Sequence, residues 1–215
     1  MNTSKPISER INNRLRFIYN STLKKLGYGT RIEAVVWDEQ YENGRWAYLG
    51  NPEEAEHYRA VCRMFKKHKP GGVCVDIGCG HGVQYHHLTH ENVVSTDTYL
   101  GIDISEKGIA QARELYPGTD FRVLDYEKEK LTGNFDVIVF NNTLYYFTST
   151  TVTIKKCVLN NLKKDGIFIF SIVDHPDHDK YWERLDKLCA TIEEEEIYNN
   201  QGLSWKVKAM VPRTV

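Results

Sequence analysis

The sequence predicts an α/β protein: a mostly parallel, seven-stranded sheet with helices on both faces and an antiparallel hairpin at its C-terminal end. Three observations carry this. Residues 73–77 form an apolar run, followed at once by glycines at alternate positions, Gly78, Gly80 and Gly82, and by a helical stretch beginning near Gln84. Strand, glycine turn and helix in that order bring backbone close to a ligand, because glycine lacks the Cβ that would block it. The next three apolar runs end on polar residues, Asp103, Asp125 and Asn141-Asn142, and in an open parallel sheet ligands bind outside the carboxyl ends of the strands. Finally, runs at 192–198 and 205–211 face each other across Asn199-Asn200-Gln201-Gly202, a hairpin-type turn.

In chain order, Ile11, Leu15, Ile18 and Thr22 place one apolar stripe on a helix over residues 8–27. Arg10, Arg14, Arg16, Lys24 and Lys25 make that helix basic. It reads as a cap packed on the main domain or as a surface helix for a membrane or partner. Residues 37–50 carry Trp37, Tyr41, Trp46 and Tyr48 without a regular amphipathic period. They either pack on the sheet edge or form a lid whose rings exclude water and offer a π face. The chain therefore divides into an N-terminal helix and lid (1–50) and a main domain (51–215).

Asn51-Pro52-Glu53 starts a helix with Ala55, Tyr58, Cys62 and Phe65 inward, broken at Pro70-Gly71-Gly72. The helix after the glycines holds His86 and His87. These are adjacent and cannot share a face, and with His81 and His90 they complete no recognised metal set, so no metal is expected. Ser105 caps the next helix, with Ile109, Ala112 and Tyr116 inward. Ile154, Val158 and Leu162 define a later helix face. A strand at 167–173 leads into Asp174-His175-Pro176-Asp177-His178-Asp179 and a helix over 180–190.

A length of 215 residues fits one domain with a real core. Net charge is −1, from 28 basic and 29 acidic residues, which gives no basic surplus for nucleic acid. Five cysteines without a C-x-x-C pair suggest a reducing compartment, and no leader or membrane-span pattern is seen, so a cytoplasmic protein is expected.

These residues resemble the class I S-adenosylmethionine-dependent methyltransferases. The likeness rests on the acid-first loop (Asp76, Gly78, Gly80, Gly82), Asp103, Asp125, the 135–141 segment and Leu162-Lys163-Lys164-Asp165-Gly166. It covers about residues 53–211, and a terminal hairpin is the family's hallmark. A nicotinamide dehydrogenase is the competitor, but its G-x-G-x-x-G stride is absent and it has no use for Asp125.

The resemblance implies the Rossmann-like methyltransferase fold with S-adenosylmethionine as cofactor. Asp103 would accept the ribose hydroxyls, Asp125 the adenine amino group, and the Tyr126 N–H would meet the ring nitrogen. Gly78, Cys79 and Gly80 would approach the ribose and methionine, and Ile104 would flank the nucleoside. Asp76 would orient the loop or a water near the ammonium and the Asn141 carbonyl would meet that ammonium directly, with Glu54, His57 or Tyr58 delivered toward the same end. Trp37, Tyr41 and Trp46 would close over the cofactor.

Methyl transfer needs alignment and dryness more than a protein nucleophile. For proton removal the candidates are His175 and His178, with Asp174, while Tyr145 and Tyr146 would contact the acceptor or only wall it in. No Asn/Asp-Pro-Pro-aromatic or Pro-Cys motif points to a nucleic-acid base. Leu144-Tyr145-Tyr146-Phe147 and residues 205–212 resemble small enzymes of sugar and natural-product pathways, nodulation-factor N-methyltransferases among them. The expected acceptor is thus an oxygen or nitrogen of a small molecule. RNA or protein methylation and a non-catalytic cofactor-binding subunit remain as alternatives, and a homodimer is open.

Overall fold

The computed structural model describes residue 29 and residues 31–213, so the helix expected over residues 8–27 lies outside the described residues. Seven strands form one sheet: β1 (Cys74–Ile77), β2 (Tyr99–Asp103), β3 (Asp120–Val123), β4 (Phe135–Asn141), β5 (Leu162–Val173), β6 (Cys189–Tyr198) and β7 (Ser204–Pro212). Their order is β3-β2-β1-β4-β5-β7-β6. The first five pair in parallel, and β7 runs antiparallel to both β5 and β6. The sheet is therefore the one expected, hairpin included.

Among the described residues six α-helices accompany it: α1 (Ala34–Glu42), α2 (Ala55–His68), α3 (Val83–His90), α4 (Glu106–Leu115), α5 (Thr150–Asn160) and α6 (Asp179–Leu188). Alternation along the strands decides which helices cover which face. Cys74, Val137, Val139 and Ile169 point to the side covered by Phe65 of α2, Leu88 of α3 and Ile109 of α4. Val75, Ile77, Ile138 and Phe168 point to the side covered by Ile154 of α5 and Leu185 of α6. Both faces are buried, so β1 and β4 read as continuous apolar runs rather than alternating ones. Ser105 does cap α4, its Oγ accepting from the Gly108 N–H at 3.0 Å.

Three details depart from expectation. Residues 34–42 are helical, because Trp37 and Tyr41 share an inward face one turn apart while Val35 and Val36 stay exposed. In α5 the inward residues are Thr153, Ile154 and Cys157, with Val158 exposed. Cys157 faces the core because the Tyr126 hydroxyl meets its Sγ at 3.2 Å. Leu162 belongs to β5, which begins there, five residues before the expected strand, and is paired with Phe135 across a bulge.

Parallel register brings the useful ends together. Asp76 is level with Gly101 and Val139, Asp103 with Val123, and Asn141 with Ser171. Every polar strand terminus named from the sequence thus reaches one edge of the sheet.

Candidate active site

A cavity of about 250 Å³ opens at that edge, with the loop after β1 as its floor and residues 31–49 as its roof. The floor is rigid by construction. Gly78 and Gly80 have φ of +81° and +54°, the left-handed region that glycine enters without steric cost. A Cβ on Gly78 would lie 2.5 Å from Thr143 Cγ2, and one on Gly80 only 2.2 Å from Tyr41 Oη. These glycines therefore also admit protein side chains, which the sequence reading did not foresee. The N–H groups of Gly78 and Cys79 both donate to the Ile102 carbonyl (2.7 and 3.0 Å), and that of Gly80 donates to Asp103 Oδ2 at 2.9 Å.

The three acids differ in circumstance. Asp76 is buried and accepts from the Tyr99 hydroxyl at 3.0 Å. Burial pushes its carboxyl up to about 7, with the nearby Asp103 adding to it and the Tyr99 bond opposing. Asp103 accepts from the N–H groups of Gly80 and Ser105 (2.9 and 2.8 Å), and burial outweighs those bonds to raise its pKa. Asp125 is gripped by Arg31, whose Nη2 donates to Oδ2 at 2.7 Å and Nη1 to Oδ1 at 3.3 Å. The same guanidinium donates to Glu127 at 2.5 Å. Burial opposes the charge on Asp125, but the guanidinium prevails and its pKa falls.

Beyond Asp125, the Tyr126 side chain turns into the core, its hydroxyl donating to Asn161 Oδ1 at 2.9 Å. Among the described residues no acceptor takes the Tyr126 backbone N–H. Asn141 Nδ2 donates to Gln84 Oε1 at 2.8 Å, which fixes the β4 terminus against α3. Asn142 follows at φ +54° and takes the Val173 N–H on its Oδ1 at 2.8 Å, bracing β4 on β5. Cys79 and Ile104 also line the cavity.

Of the residues expected near its inner end, Glu54 and Tyr58 line the cavity and His57 does not. His57 is fully buried, stacked on Trp205 with ring centroids 4.7 Å apart. Burial, with His87 adding to it, drops its pKa to about 3, so it is neutral.

The roof joins the floor through specific polar contacts. Asp38 accepts from Ser105 Oγ (2.6 Å) and from the Lys107 N–H (3.0 Å) at the start of α4. Trp37 packs on Trp46 at 5.7 Å and edge-on against Tyr146 at 4.8 Å, and all three line the cavity. Tyr41 reaches His81 at 5.8 Å above the glycine loop.

The loop after β5 does not contribute as expected. His175 is exposed and its Nδ1 accepts from the Asp177 N–H at 3.2 Å. His178 Nδ1 donates to the Val173 carbonyl at 2.7 Å, and its ring stacks behind Tyr145 at 4.5 Å. Neither histidine, nor Asp174, lines the cavity, whereas Tyr145 does. Neither His175 nor His178 is therefore placed to act as general base on a molecule in the cavity. The reason is length: β5 and α6 are joined by a tight turn that stays outside the wall formed by Tyr145.

Residues that sequence reasoning missed include Arg31, Gln84 and Trp205, all lining the cavity. Trp205 had a usable signal, its inward position on β7. Arg31 had none, being a lone cation ahead of the lid. Among the described residues no group of three or more potential ligands is placed to hold a metal, and no helix is long and apolar enough to cross a membrane.

A mostly parallel sheet with this order, an antiparallel β7 and carboxylates ending β1 and β2 beneath a glycine turn define a class I S-adenosylmethionine-dependent methyltransferase architecture. A methyltransferase-domain family model matches residues 68–211, and the chain belongs to that family. The residues present would fit S-adenosylmethionine as a methyl donor: carboxylates suit hydroxyl and amino donors, and among the described residues the Tyr126 backbone N–H has no acceptor.

Among solved structures, N-methyltransferase NodS from Bradyrhizobium japonicum WM9, in complex with S-adenosyl-L-homocysteine, is similar at a TM-score of 0.68 and 16% identity, covering 82% of this chain and 99% of that one. The 1,6-didemethyltoxoflavin-N1-methyltransferase of Burkholderia thailandensis is similar at 0.64 and 13% identity, covering 100% and 94%. Cyclopropane-fatty-acyl-phospholipid synthase of Escherichia coli (strain K12) is 28% identical over 137 residues, 62% of this chain and 35% of that protein. The chain spans little more than a third of the length of the curated relatives it matches.

Proposed function

We propose that the protein methylates an oxygen or nitrogen of a small molecule, such as a sugar-derived or natural-product intermediate. The observation that carries this is the roof: Trp37, Trp46 and Tyr146 close an aromatic wall over the strand ends, leaving about 250 Å³. A polymer needs an open track, whereas a small acceptor needs enclosure. The names of the NodS and toxoflavin enzymes support the same direction.

In this reading Asp103 holds the ribose hydroxyls, while Asp125 and the Tyr126 N–H hold the adenine. Asp76 and the Asn141 carbonyl face the ammonium, with Gly78, Cys79, Gly80 and Ile104 shaping the cradle. S-adenosylmethionine supplies an activated methyl group, so the chain's own task is to orient an acceptor and exclude water. Tyr41 closes over the glycine loop, and Trp37 and Trp46 seal the acceptor side. Tyr145, backed by His178, walls the acceptor.

Calorimetry with S-adenosylhomocysteine tests the donor half. The wild type is expected to bind, and Asp103→Ala to lose roughly 1.5–3 kcal/mol, the scale of a hydrogen bond to a charged group. Unchanged affinity in Asp103→Ala would remove that residue from the site.

A further inference from the structure

The cavity holds more negative charge than its donor needs. Among the described residues five carboxylates line it, Glu54, Asp76, Asp103, Asp125 and Glu127, against one guanidinium, Arg31. That guanidinium is already committed to Asp125 and Glu127. On the reading above, Asp103 serves hydroxyls and Asp76 serves the donor's ammonium. Glu54 is left over.

Glu54 is an unusual residue to leave over. It is only 6% exposed, and its one ion-pair contact among the described residues is the His57 ring at 3.8 Å. His57 is held neutral by burial, and its Nε2 has no hydrogen-bond partner. A buried carboxylate without a cation is costly, and Glu54 responds with a raised pKa, from burial first and Glu53 second. The other groups around it are the hydroxyls of Tyr48 and Tyr58, both pushed up by burial and then by Glu54. Arg45 acts on Tyr48 and Tyr146 but is exposed and outside the cavity lining.

Beside this carboxylate runs a continuous chain of rings. Tyr48 is 6.2 Å from Trp46, Trp46 5.7 Å from Trp37, Trp37 4.8 Å from Tyr146 and Tyr146 4.6 Å from Tyr145. All five line the cavity with Glu54. Aromatic faces around a buried acid attract a cation and give a neutral alcohol no comparable gain.

We propose that the acceptor half of the cavity is a cation site, in which Glu54 and the rings from Tyr48 to Tyr145 select a protonated amine, so that transfer is to nitrogen. This rests on the methyl-donor reading above. The amine enters as an ammonium, and Glu54 takes one proton from it. The freed nitrogen lone pair then forms the bond to the methyl carbon. The carbon–sulfur bond breaks and its electron pair returns to sulfur, neutralising the sulfonium. The product leaves as the methylated ammonium, and Glu54 returns its proton to solvent.

Choline and its neutral carbon isostere 3,3-dimethyl-1-butanol provide the test, titrated into protein saturated with S-adenosylhomocysteine and followed by tryptophan fluorescence. Choline is expected to bind at least about tenfold more tightly than the alcohol. Glu54→Gln should cut that preference by at least about threefold while S-adenosylhomocysteine still binds, and Tyr48→Leu, at a half-exposed ring, should weaken choline alone. Equal binding of the two probes in the wild type overturns the proposal. So does a Glu54→Gln variant that loses S-adenosylhomocysteine instead, because Glu54 would then hold the donor's ammonium. Failure of the wild type to bind S-adenosylhomocysteine at all would sink the donor reading itself, which is a separate result.

Discussion

Asp76 and Asp125 end neighbouring parts of one cavity, yet they sit in opposite electrical surroundings. Asp76 belongs to the floor, where its partner is a neutral tyrosine hydroxyl, and burial drives its pKa up to about 7. Asp125 lies beneath the roof, where Arg31 donates to both its oxygens and drives its pKa down. The contrast separates two kinds of construction. Among the described residues the floor leaves its carboxylate without a cation, which on the proposed reading a ligand ammonium would supply. The roof satisfies its carboxylate from within the chain and uses the pair to fasten residues 31–33 across the sheet edge.

The largest expected effect follows from the floor acid. An acid whose folded pKa is raised holds a proton that the unfolded chain has already released. Stability of the ligand-free protein should therefore fall as pH rises from the ordinary carboxylate range, near 3.8, to about 7, and level off above that. The total is on the order of a few kcal/mol, with Asp103 acting in the same direction. Affinity for the donor's ammonium should run the other way and strengthen as Asp76 ionises through about 7. Asp76→Asn should flatten both profiles. Thermal melts and calorimetry across pH 4–9 check this, and parallel trends in stability and affinity would break the assignment.

A second, smaller effect joins floor to roof at Gly80. An alanine there adopts φ +54° and places its Cβ 2.2 Å from Tyr41 Oη. The left-handed conformation alone costs ~1–2 kcal/mol, a drop of roughly 2–8 °C in Tm for a chain of this size. S-adenosylhomocysteine affinity should fall as well, because Tyr41 must move. Tyr41→Phe removes the hydroxyl and should return part of the loss, with a coupling of at least about 0.5 kcal/mol in a double-mutant cycle. Strict additivity would show that floor and roof are independent here.

The floor was legible in the sequence and most of the roof was not. Strand alternation, the glycine stride and acids at strand ends are local patterns, and each maps to one place in a parallel sheet. Asp76, Asp103, Asp125 and Asn141 therefore arrived where expected. What the glycines make room for was not legible, since Tyr41 and Thr143 approach them from 39 and 65 residues away in sequence, as Gly80 to Tyr41 and Gly78 to Thr143. The histidine-rich loop after β5 misled because composition suggests chemistry, while only the fold shows that Tyr145 stands between it and the cavity. Arg31 offered no period, motif or spacing at all. Its role comes from a partner 94 residues away.

Arg31 is also where the contrast between the two acids can be tested most finely. Among the described residues Asp125 Oδ2 accepts a hydrogen bond from Arg31 alone, with Lys128 Nζ at 3.6 Å, so a ligand amino group would share that oxygen. On the proposed reading the two would share the carboxylate rather than compete for it, the guanidinium holding its orientation while the ligand takes a remaining lone pair. Arg31→Ala should weaken S-adenosylhomocysteine by less than about tenfold and cost about 1 kcal/mol of stability, as partly exposed ion pairs do. A depressed acid contributes stability above its unfolded pKa and loses it as pH falls through its folded value, so the wild-type advantage should be full at pH 7 and shrink below about pH 4. Tighter binding in Arg31→Ala would mean that guanidinium and ligand compete for Asp125, making residues 31–33 a latch that must open. A loss as large as that of Asp103→Ala would mean that roof and floor are one rigid cradle, and the division drawn between the two acids would fail.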